Sequence, residues 1–310
     1  MNVLVTGGAG FIGSAVARAL LERGDDVRIF DNFLTGSKEV IPPGTEVVEG
    51  DLRDLGAVRE ACSGVELVVH EGAVPRVPRS VDDPTLSVEV NVMGTTNVLV
   101  AAREAGVRRV VNASSSSVFG EWDEGAQRED VAPLPVSPYA ASKLAAEHLC
   151  RIWSSLYGLE TVSLRYFNVF GPGQPPEAKY ALVFPAFVGP LLRGEAPEIH
   201  WDGEQRRDFT YIEDVVRATL LAGDAPDATD GVVINVGSHS PKTINEVYRA
   251  VSDALGVHLE PRHAPKRAGD VRNTYADITR ARQILGWEPR SDWDTAVSDT
   301  VRWLVERLKP

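Results

Sequence analysis

Short apolar runs alternate with longer segments of helical spacing through the first half of the chain. The strand-like runs are Asn2–Thr6, Val27–Phe30, Glu46–Glu49, Leu67–His70, Arg109–Ala113 and Thr161–Arg165. Between them, apolar residues recur at helical spacing in segments such as Ser14–Arg23, Leu86–Ala105 and Tyr139–Tyr157. This regular alternation predicts an α/β fold with a doubly wound parallel sheet. Ligands of such sheets bind beyond the carboxyl ends of the strands.

The alternation breaks after Phe170, where a turn-rich segment, Gly171-Pro172-Gly173-Gln174-Pro175-Pro176, cannot form a helix. Beyond it, the pattern still predicts a strand at Val232–Val236 and helices at Ile244–Leu255 and Trp293–Leu308. We therefore expect a first domain over residues 1–170, to which some later segments return. Residues 171–310 are expected to form mainly a smaller, mixed α/β lobe.

Composition narrows the choice of partners. The chain has 310 residues and a net charge of −12, which disfavours nucleic acid and anionic membranes as partners. The sequence shows neither a membrane-spanning apolar run nor a signal peptide, so we expect a cytoplasmic protein. Cys62 and Cys150 are the only cysteines, and without a CxxC motif or a Cys/His cluster no metal site is expected.

A glycine loop follows the first strand and opens the first helix. Gly7, Gly10 and Gly13 have the spacing GxxGxxG, which lets the backbone approach a pyrophosphate at a helix N-terminus. Asp31 ends the next strand, and its carboxylate can accept both ribose hydroxyls while repelling a 2′-phosphate. The combination predicts a Rossmann-type domain that binds NAD rather than NADP. Asp51-Leu52, after the third strand, either meets the adenine or forms an ordinary turn.

Tyr139 and Lys143 are four residues apart and share one face of a predicted helix. A free phenol has a pKa near ~10, and lowering it by about 3 units requires about 4 kcal/mol of differential interaction. A nearby ammonium and a positively charged nicotinamide can supply that energy. Tyr139 is therefore a candidate proton acceptor, although a YxxxK pair alone is also common on surfaces.

Four serines, Ser114 to Ser117, follow the fifth strand at the edge of the sheet where ligands bind. A hydroxyl at this edge can hydrogen-bond the reacting hydroxyl of a substrate. The alternative is a loop whose hydroxyls are satisfied internally.

Together these residues resemble the extended short-chain dehydrogenase/reductases, and among them the UDP-glucose 4-epimerase-like nucleotide-sugar epimerases. The resemblance covers nearly the whole chain. Besides the motifs above, it rests on Gly50-Asp51-Leu52, Val77-Pro78-Arg79-Ser80, Asn91-Val92-Met93-Gly94-Thr95, Leu164-Arg165-Tyr166-Phe167-Asn168-Val169, Asp202-Gly203-Glu204-Gln205-Arg206-Arg207-Asp208-Phe209 and Arg267-Ala268-Gly269-Asp270.

The resemblance implies a permanently bound NAD and a C-terminal lobe that grips a nucleotide diphosphate. The catalytic residues it implies are Ser115, Tyr139 and Lys143. The cofactor contacts it implies are Gly7, Gly10, Phe11, Ile12, Gly13, Asp31, Asn32, Asp51, Leu52, Asn91, Tyr139 and Lys143. Those implied for a UDP-sugar are Arg76, Ser115, Ser116, Asn168, Arg207, Asn235, Arg267, Asp270 and Thr274. It also implies a homodimer formed through a four-helix bundle of Leu86–Ala105 and Tyr139–Tyr157.

Three departures from the family pattern are Phe119 in place of the usual Tyr, Glu71-Gly72 in place of a more apolar pair, and Arg76 in place of a small residue. In some members of the family that accept sugar acids, an arginine in the turn after Asn168 pairs with the C6 carboxylate. Here that turn carries no arginine, so the resemblance favours a neutral hexose, unless Arg76 binds the carboxylate from another direction. The resemblance also implies a wall residue of the sugar pocket at Thr274, which is small, so we expect room for a 2-N-acetyl group.

The expected reaction is 4-epimerisation of a UDP-hexose through a transient 4-keto sugar. A dehydratase requires an extra acid and base beside the catalytic Ser115, where this chain has Ser116-Ser117. A reductase, a decarboxylase, a UDP-uronic acid epimerase and a non-catalytic NAD sensor remain alternatives; the presence of all three catalytic residues disfavours the sensor.

Overall fold

Strands dominated by buried valine, leucine and isoleucine form the centre of the computed structural model, which describes residues 1–122, 125–176, 182–266 and 270–308. Seven parallel strands make one sheet: β1 Asn2–Thr6, β2 Asp26–Asp31, β3 Glu46–Glu49, β4 Leu67–His70, β5 Arg109–Ser115, β6 Glu160–Tyr166 and β7 Val232–Val236. Their order is β7-β6-β5-β4-β1-β2-β3. The predicted α/β fold is therefore confirmed.

The chain changes direction across the sheet at β1. Val3 pairs with Val27 of β2 on one side and with Leu67 of β4 on the other. The connections after β1 and after β4 therefore run in opposite directions and leave a crevice at the carboxyl ends of these two strands. This topological switch point is where open α/β sheets bind ligands.

Helices cover both faces of the sheet, because successive strand residues point to opposite sides. Val3 and Val5 pack with Val16 and Val215 in one core cluster, whereas Leu4 packs with Val98 in another. The helices are α1 Phe11–Arg23, α2 Leu55–Cys62, α3 Gly94–Glu104, α4 Pro138–Tyr157, α5 Val183–Leu192, α6 Ile212–Asp224, α7 Ile244–Leu255 and α8 Trp293–Leu308. No helix in the described ranges is long and apolar enough to cross a membrane.

The helix predicted over Leu86–Ala105 is interrupted. A short helix at Pro84–Val88 leads into a π-helical turn at Glu89–Met93, and only then does α3 begin. In that turn the buried amide of Asn91 accepts from the Val74 backbone N–H at 2.7 Å and donates to the Ser142 hydroxyl at 3.0 Å. The widened turn therefore fastens this segment to the Val74 loop and to α4.

The second lobe is built on α5, α7 and α8 around an aromatic core. Phe170 and Phe184 stack with ring centroids 4.6 Å apart, and Phe209 meets Phe184 edge-on at 5.8 Å. Three small pairs of strands complete it, namely Val169–Phe170 with Thr210–Tyr211, Arg206–Arg207 with Lys242–Thr243, and Glu198–His200 with Arg262–Ala264. Within the described residues, β7 is the one later strand that joins the main sheet, where it pairs with β6. Helix α6 also packs against this sheet through Val215 and Ala218.

Candidate active site

A cavity of about 780 Å³ lies at the carboxyl ends of the strands and reaches into the second lobe. Most of the residues predicted for ligand binding line it. They are Gly7, Gly10, Phe11, Ile12, Gly13, Asp31, Asn32, Leu52, Arg76, Ser115, Ser116, Tyr139, Lys143, Asn168, Arg207, Asp270 and Thr274. Arg267 lies outside the described residues. The fold thus brings together side chains that are up to 267 positions apart, since Gly7 and Thr274 line the same cavity.

The glycine loop needs its glycines. Gly7 has a φ of +69°, and a Cβ there would lie 2.6 Å from the Gly72 backbone nitrogen. A Cβ at Gly13 would lie 2.2 Å from the Gly7 carbonyl oxygen. Gly10 caps α1 without a side chain, so the N–H groups of the first helical turn are left for a ligand. This cradle suits the pyrophosphate of a dinucleotide.

Acidic and amide groups occupy the end of the cavity beyond β2. Asp31 accepts hydrogen bonds from the backbone N–H groups of Ala9 (3.0 Å) and Phe33 (2.8 Å), which fixes its carboxylate at the cavity wall. Asn32 donates to Asp51 at 3.0 Å, and Arg53 holds the pKa of Asp51 well below its usual range. Asp51 itself does not line the cavity. Its hydrogen bond with Asn32 instead orients the Asn32 side chain.

Two residues predicted to contact ligands point away from the cavity. Asn91 is tied to Val74 and Ser142, as described above. Asn235 in β7 is fully buried, and its amide donates to the carbonyl oxygens of Gln127 (2.8 Å) and Asp277 (3.1 Å). Neither side chain is among the described residues that line the cavity. In this structure both amides join segments of backbone rather than face a ligand.

Ser115, Tyr139 and Lys143 meet where β5 ends and α4 begins. Ser137 caps α4 by accepting from the Ala140 N–H, and this cap places Tyr139 and Lys143 in the first turns, facing the cavity. Lys143 donates to the Ala113 carbonyl oxygen at 2.7 Å. Ser115 hydrogen-bonds Tyr139 and accepts from the Ser117 N–H at 3.2 Å. Hydroxyl, phenol and ammonium therefore form one group.

Burial dominates the ionisation of this group. It raises the pKa of Tyr139 to about 12, against the hydrogen bond from Ser115, which lowers it. Burial also lowers the pKa of Lys143, while the carboxylate of Glu71 acts in the opposite direction. A phenol with so high a pKa is a proton acceptor at neutral pH only when a cation lies beside it.

A buried ion pair between Arg165 and Glu147 holds the serine run in place. Arg165 donates to both oxygens of Glu147, at 2.9 and 2.8 Å, and both side chains are 4% exposed. Ser114 donates to the same carboxylate, and the Arg165 guanidinium lies 4.6 Å from the centre of the Phe119 ring. Because Ser114 is committed to this network, the neighbouring Ser115 is held towards Tyr139.

The far end of the cavity carries the groups predicted to hold a nucleotide diphosphate. Arg207 is 11% exposed and donates to Asp270 at 3.1 Å. Asn168 donates to the Asp208 carbonyl oxygen and to the Thr274 hydroxyl, both at 2.9 Å. Thr274 is therefore a small residue of the cavity wall, whose hydroxyl accepts the hydrogen bond of Asn168. Arg207 places a guanidinium at this end of the cavity, and a guanidinium is a group that binds phosphates well.

Arg76 precedes the short helix Val77–Asp82 and lines the cavity. Its φ of +82° is a conformation that a residue with a Cβ rarely adopts. Backbone strain of this kind persists where surrounding contacts enforce it, and it is concentrated at ligand-binding sites.

Sequence reasoning did not assign Glu71, Arg79 or Tyr166 to the site, and all three line the cavity. The Tyr166 hydroxyl donates to the Glu71 carboxylate at 2.8 Å. Glu71 directly follows β4 and Tyr166 ends β6, so position at the carboxyl end of a strand was the signal that could have identified them.

Known proteins share both sequence and fold with this chain. Residues 3–237 match the sequence model of the NAD dependent epimerase/dehydratase family. The UDP-glucose 4-epimerase of Thermotoga maritima, solved with UDP-glucose, superposes with a TM-score of 0.95 at 34% identity, covering 100% of both chains. The Thermus thermophilus UDP-glucose 4-epimerase in complex with NAD gives 0.91 at 37% identity, over 98% of this chain and 99% of that one.

The similarity extends to proteins that act on sugar acids. A UDP-glucuronate 4-epimerase of Arabidopsis thaliana is 33% identical over 338 aligned residues, which cover 100% of this chain and 77% of the plant protein. Sequence identity at this level therefore does not distinguish enzymes that act on neutral sugars from enzymes that act on sugar acids. The side chains around the cavity must determine which sugar is bound.

Proposed function

This chain belongs to the NAD-dependent epimerase/dehydratase family, and from that premise we propose that it interconverts the C4 epimers of a neutral UDP-hexose. NAD is its cofactor. The observation that carries the proposal is the group formed by Ser115, Tyr139 and Lys143 beside the glycine loop. The proposed substrates are UDP-glucose and UDP-galactose, with the N-acetylated pair also accepted.

In the proposed mechanism, Tyr139 takes the proton of the sugar O4 hydroxyl and Ser115 hydrogen-bonds the same oxygen. NAD, held by the glycine loop and Asp31, would supply the hydride acceptor and donor that the reaction at C4 needs. Lys143 provides a positive charge that favours the phenolate of Tyr139. When the 4-keto sugar has turned over in the cavity, Tyr139 gives the proton back to O4. One proton and one hydride leave and return, so no net oxidation occurs.

Arg207 and Asn168 are proposed to hold the diphosphate, with Asp270 at the ribose. The Arg207–Asp270 pair places a guanidinium and a carboxylate side by side, which matches a phosphate next to a ribose hydroxyl. Arg267, outside the described residues, is proposed as a second phosphate ligand.

The alternative dehydratase reaction has less support. It needs an acid and a base beside Ser115, and the chain offers Ser116 and Ser117 there. The carboxylate that accepts a hydrogen bond from this run, Glu147, is engaged with Arg165 and Ser114. It lies 4% exposed beneath the serines rather than beside a substrate.

A substrate panel tests the proposal. With UDP-glucose, UDP-N-acetylglucosamine and UDP-glucuronate at equal concentration, we expect C4 epimers of the first two by product NMR, and little turnover of the acid. A clear preference for UDP-glucuronate would contradict the neutral-sugar assignment. In that case Arg76→Ala should remove activity on the acid selectively, because the Arg76 guanidinium would be its partner. A keto or unsaturated product would instead indicate a dehydratase.

The proposal includes a homodimer through the outer faces of the segment Pro84–Glu104 and of α4. Large apolar side chains are exposed on both, including Val88 (50%), Met93 (55%), Ile152 (43%) and Leu156 (70%). Ile152 and Leu156 are one helical turn apart and share a face. An apolar face of this kind is costly to leave in water and is typical of a subunit interface.

We expect Leu156→Asp to convert a dimer into a monomer, because it places a charge in the centre of the proposed interface. Light scattering at micromolar protein concentration measures the change. Leu192→Asp, at an exposed apolar position of α5 in the second lobe, is the matched control and should leave the mass unchanged. If the wild-type protein itself scatters as a monomer, the proposed interface is wrong.

A further inference from the structure

A carboxylate lies in the cavity where the family usually has an apolar side chain. The backbone of Glu71 is packed against the glycine loop: its N–H donates to the Thr6 carbonyl oxygen at 3.1 Å, and a Cβ at Gly7 would lie 2.9 Å from the Glu71 carbonyl carbon. Glu71 thus stands at the switch point between β1 and β4. Its side chain is partly buried and lines the cavity.

Residues of β4, β6, α4 and α6 surround this carboxylate. Tyr166 of β6 donates to Glu71 at 2.8 Å, and its oxygen is also 2.9 Å from the Thr219 hydroxyl of α6. Burial raises the pKa of Glu71 to about 7, whereas the hydrogen bond from Tyr166 and the charge of Lys143 on α4 lower it. The Glu71 charge in turn raises the pKa of Tyr139. His70, the preceding residue, is neutral at physiological pH because burial lowers its pKa to about 3.

The Glu71 charge affects the proton transfer from O4 in two opposite ways. It opposes formation of the Tyr139 phenolate, but it also keeps Lys143 protonated against the effect of burial. Hydrogen bonding to Tyr166 does not require a charge, since an amide or a hydroxyl accepts equally well. A carboxylate at this place can also interact with a cationic nicotinamide ring.

We propose that Glu71 is an electrostatic residue of the nicotinamide end of the NAD site, where its carboxylate favours the oxidised, cationic form of the bound cofactor over the neutral, reduced form. Lys143 is the family's ribose ligand, and the reacting C4 must lie between Tyr139 and the nicotinamide. A carboxylate that interacts with both residues is therefore close to the ring. The inference rests on NAD as cofactor and is independent of which sugar is bound.

The consequence is a site that returns hydride readily. A carboxylate that stabilises the cationic ring makes the 4-keto sugar easier to reduce back to an alcohol, which shortens the time during which the ketone can escape. One unit charge within about 10 Å, at an effective dielectric constant of about 20, changes such an equilibrium roughly tenfold.

The test equilibrates the holoenzyme with defined mixtures of NAD⁺ and NADH, removes free nucleotide rapidly, and measures the bound ratio. Glu71→Gln keeps the shape and the hydrogen bond to Tyr166 but removes the charge, and Glu71→Leu introduces the apolar side chain typical of the family. For both, we expect the bound ratio to shift towards NADH by on the order of tenfold.

Thr219→Val is the matched control, because it removes a neutral hydrogen-bond partner of Tyr166 and no charge; its bound ratio should stay within about twofold of the wild type. An unchanged ratio in Glu71→Gln and Glu71→Leu, with or without loss of total nucleotide, would show that Glu71 is structural and would overturn the inference. No sugar enters this measurement, so it can fail or succeed whether or not the protein proves to be an epimerase.

Discussion

Replacing Tyr139 with phenylalanine should lower kcat by a factor on the order of 10² to 10⁴, while the protein still folds and retains NAD. The change removes the phenolic oxygen that takes the O4 proton and keeps the aromatic ring in the cavity wall. Loss of the hydroxyl also frees Ser115 from its partner. Turnover of UDP-glucose, nucleotide content and melting temperature should be measured on the same preparation, because only the first should change strongly.

Two control substitutions sharpen this prediction. Ser117→Ala alters a neighbouring hydroxyl of the same run and should cost much less activity than Ser115→Ala, which removes the hydrogen bond to Tyr139. Tyr157→Phe changes a tyrosine at the exposed end of the same helix and should leave kcat near the wild-type value. Equal losses for the two serine variants would show that the run acts only as a structural loop.

Replacing Glu147 with alanine should reduce the free energy of unfolding by about 3–5 kcal/mol. The substitution leaves the guanidinium of Arg165 buried at 4% exposure without its bidentate partner, and it also removes the acceptor of Ser114. Urea denaturation followed by circular dichroism measures the loss. Activity at low temperature should fall as well, because β5 then lacks the anchor that holds Ser115 in place.

The exposed pair formed by Arg193 and Glu195 is the matched comparison. Both side chains are 58% exposed, so solvent screens their attraction and Glu195→Ala should leave the free energy of unfolding close to the wild-type value. A loss at Glu147 as small as that at Glu195 would mean that water reaches Arg165 and replaces its partner.

Most strands of the sheet were predictable, because the apolar runs in the sequence coincide with the segments that are buried in the structure. The predicted bounds of Glu46–Glu49, Leu67–His70 and Val232–Val236 match the structure, and Arg109–Ala113 falls short of the actual end of β5 by two residues, at Ser115. α1 begins at Phe11 rather than at Ser14, because its cap is Gly10, which has no polar side chain to mark the boundary.

Interruptions and very short strands were not predictable from periodicity. The π-helical turn at Glu89–Met93 depends on contacts of Asn91 with Val74 and Ser142, which are distant in sequence. A two-residue strand such as Arg206–Arg207 is too short to show an alternation of apolar and polar residues. Tertiary contacts therefore determine where these elements form, and the local sequence does not predict them.

The candidate site divides in the same way. Local motifs located the glycine loop and the Tyr139–Lys143 pair, since each is contained in a few consecutive residues. The contact of Glu71 with Tyr166 joins residues 95 positions apart, and only the folded sheet brings them together. Asn235 shows the reverse: the family resemblance implied a ligand contact, but the register of β7 against β6 turns its side chain into the core.

β7 is the last strand of the sheet along the chain, so the sheet cannot be complete until β7 has been synthesised. During synthesis, β6 leaves the ribosome long before β7, and until Val236 has emerged the N–H and C=O groups along one side of β6 have no partner strand. An open, apolar edge that includes Val162 and Leu164 can pair with a neighbouring nascent chain. The Rossmann half of this protein is therefore exposed to misassembly during translation, and its protection depends on residues that the ribosome adds much later.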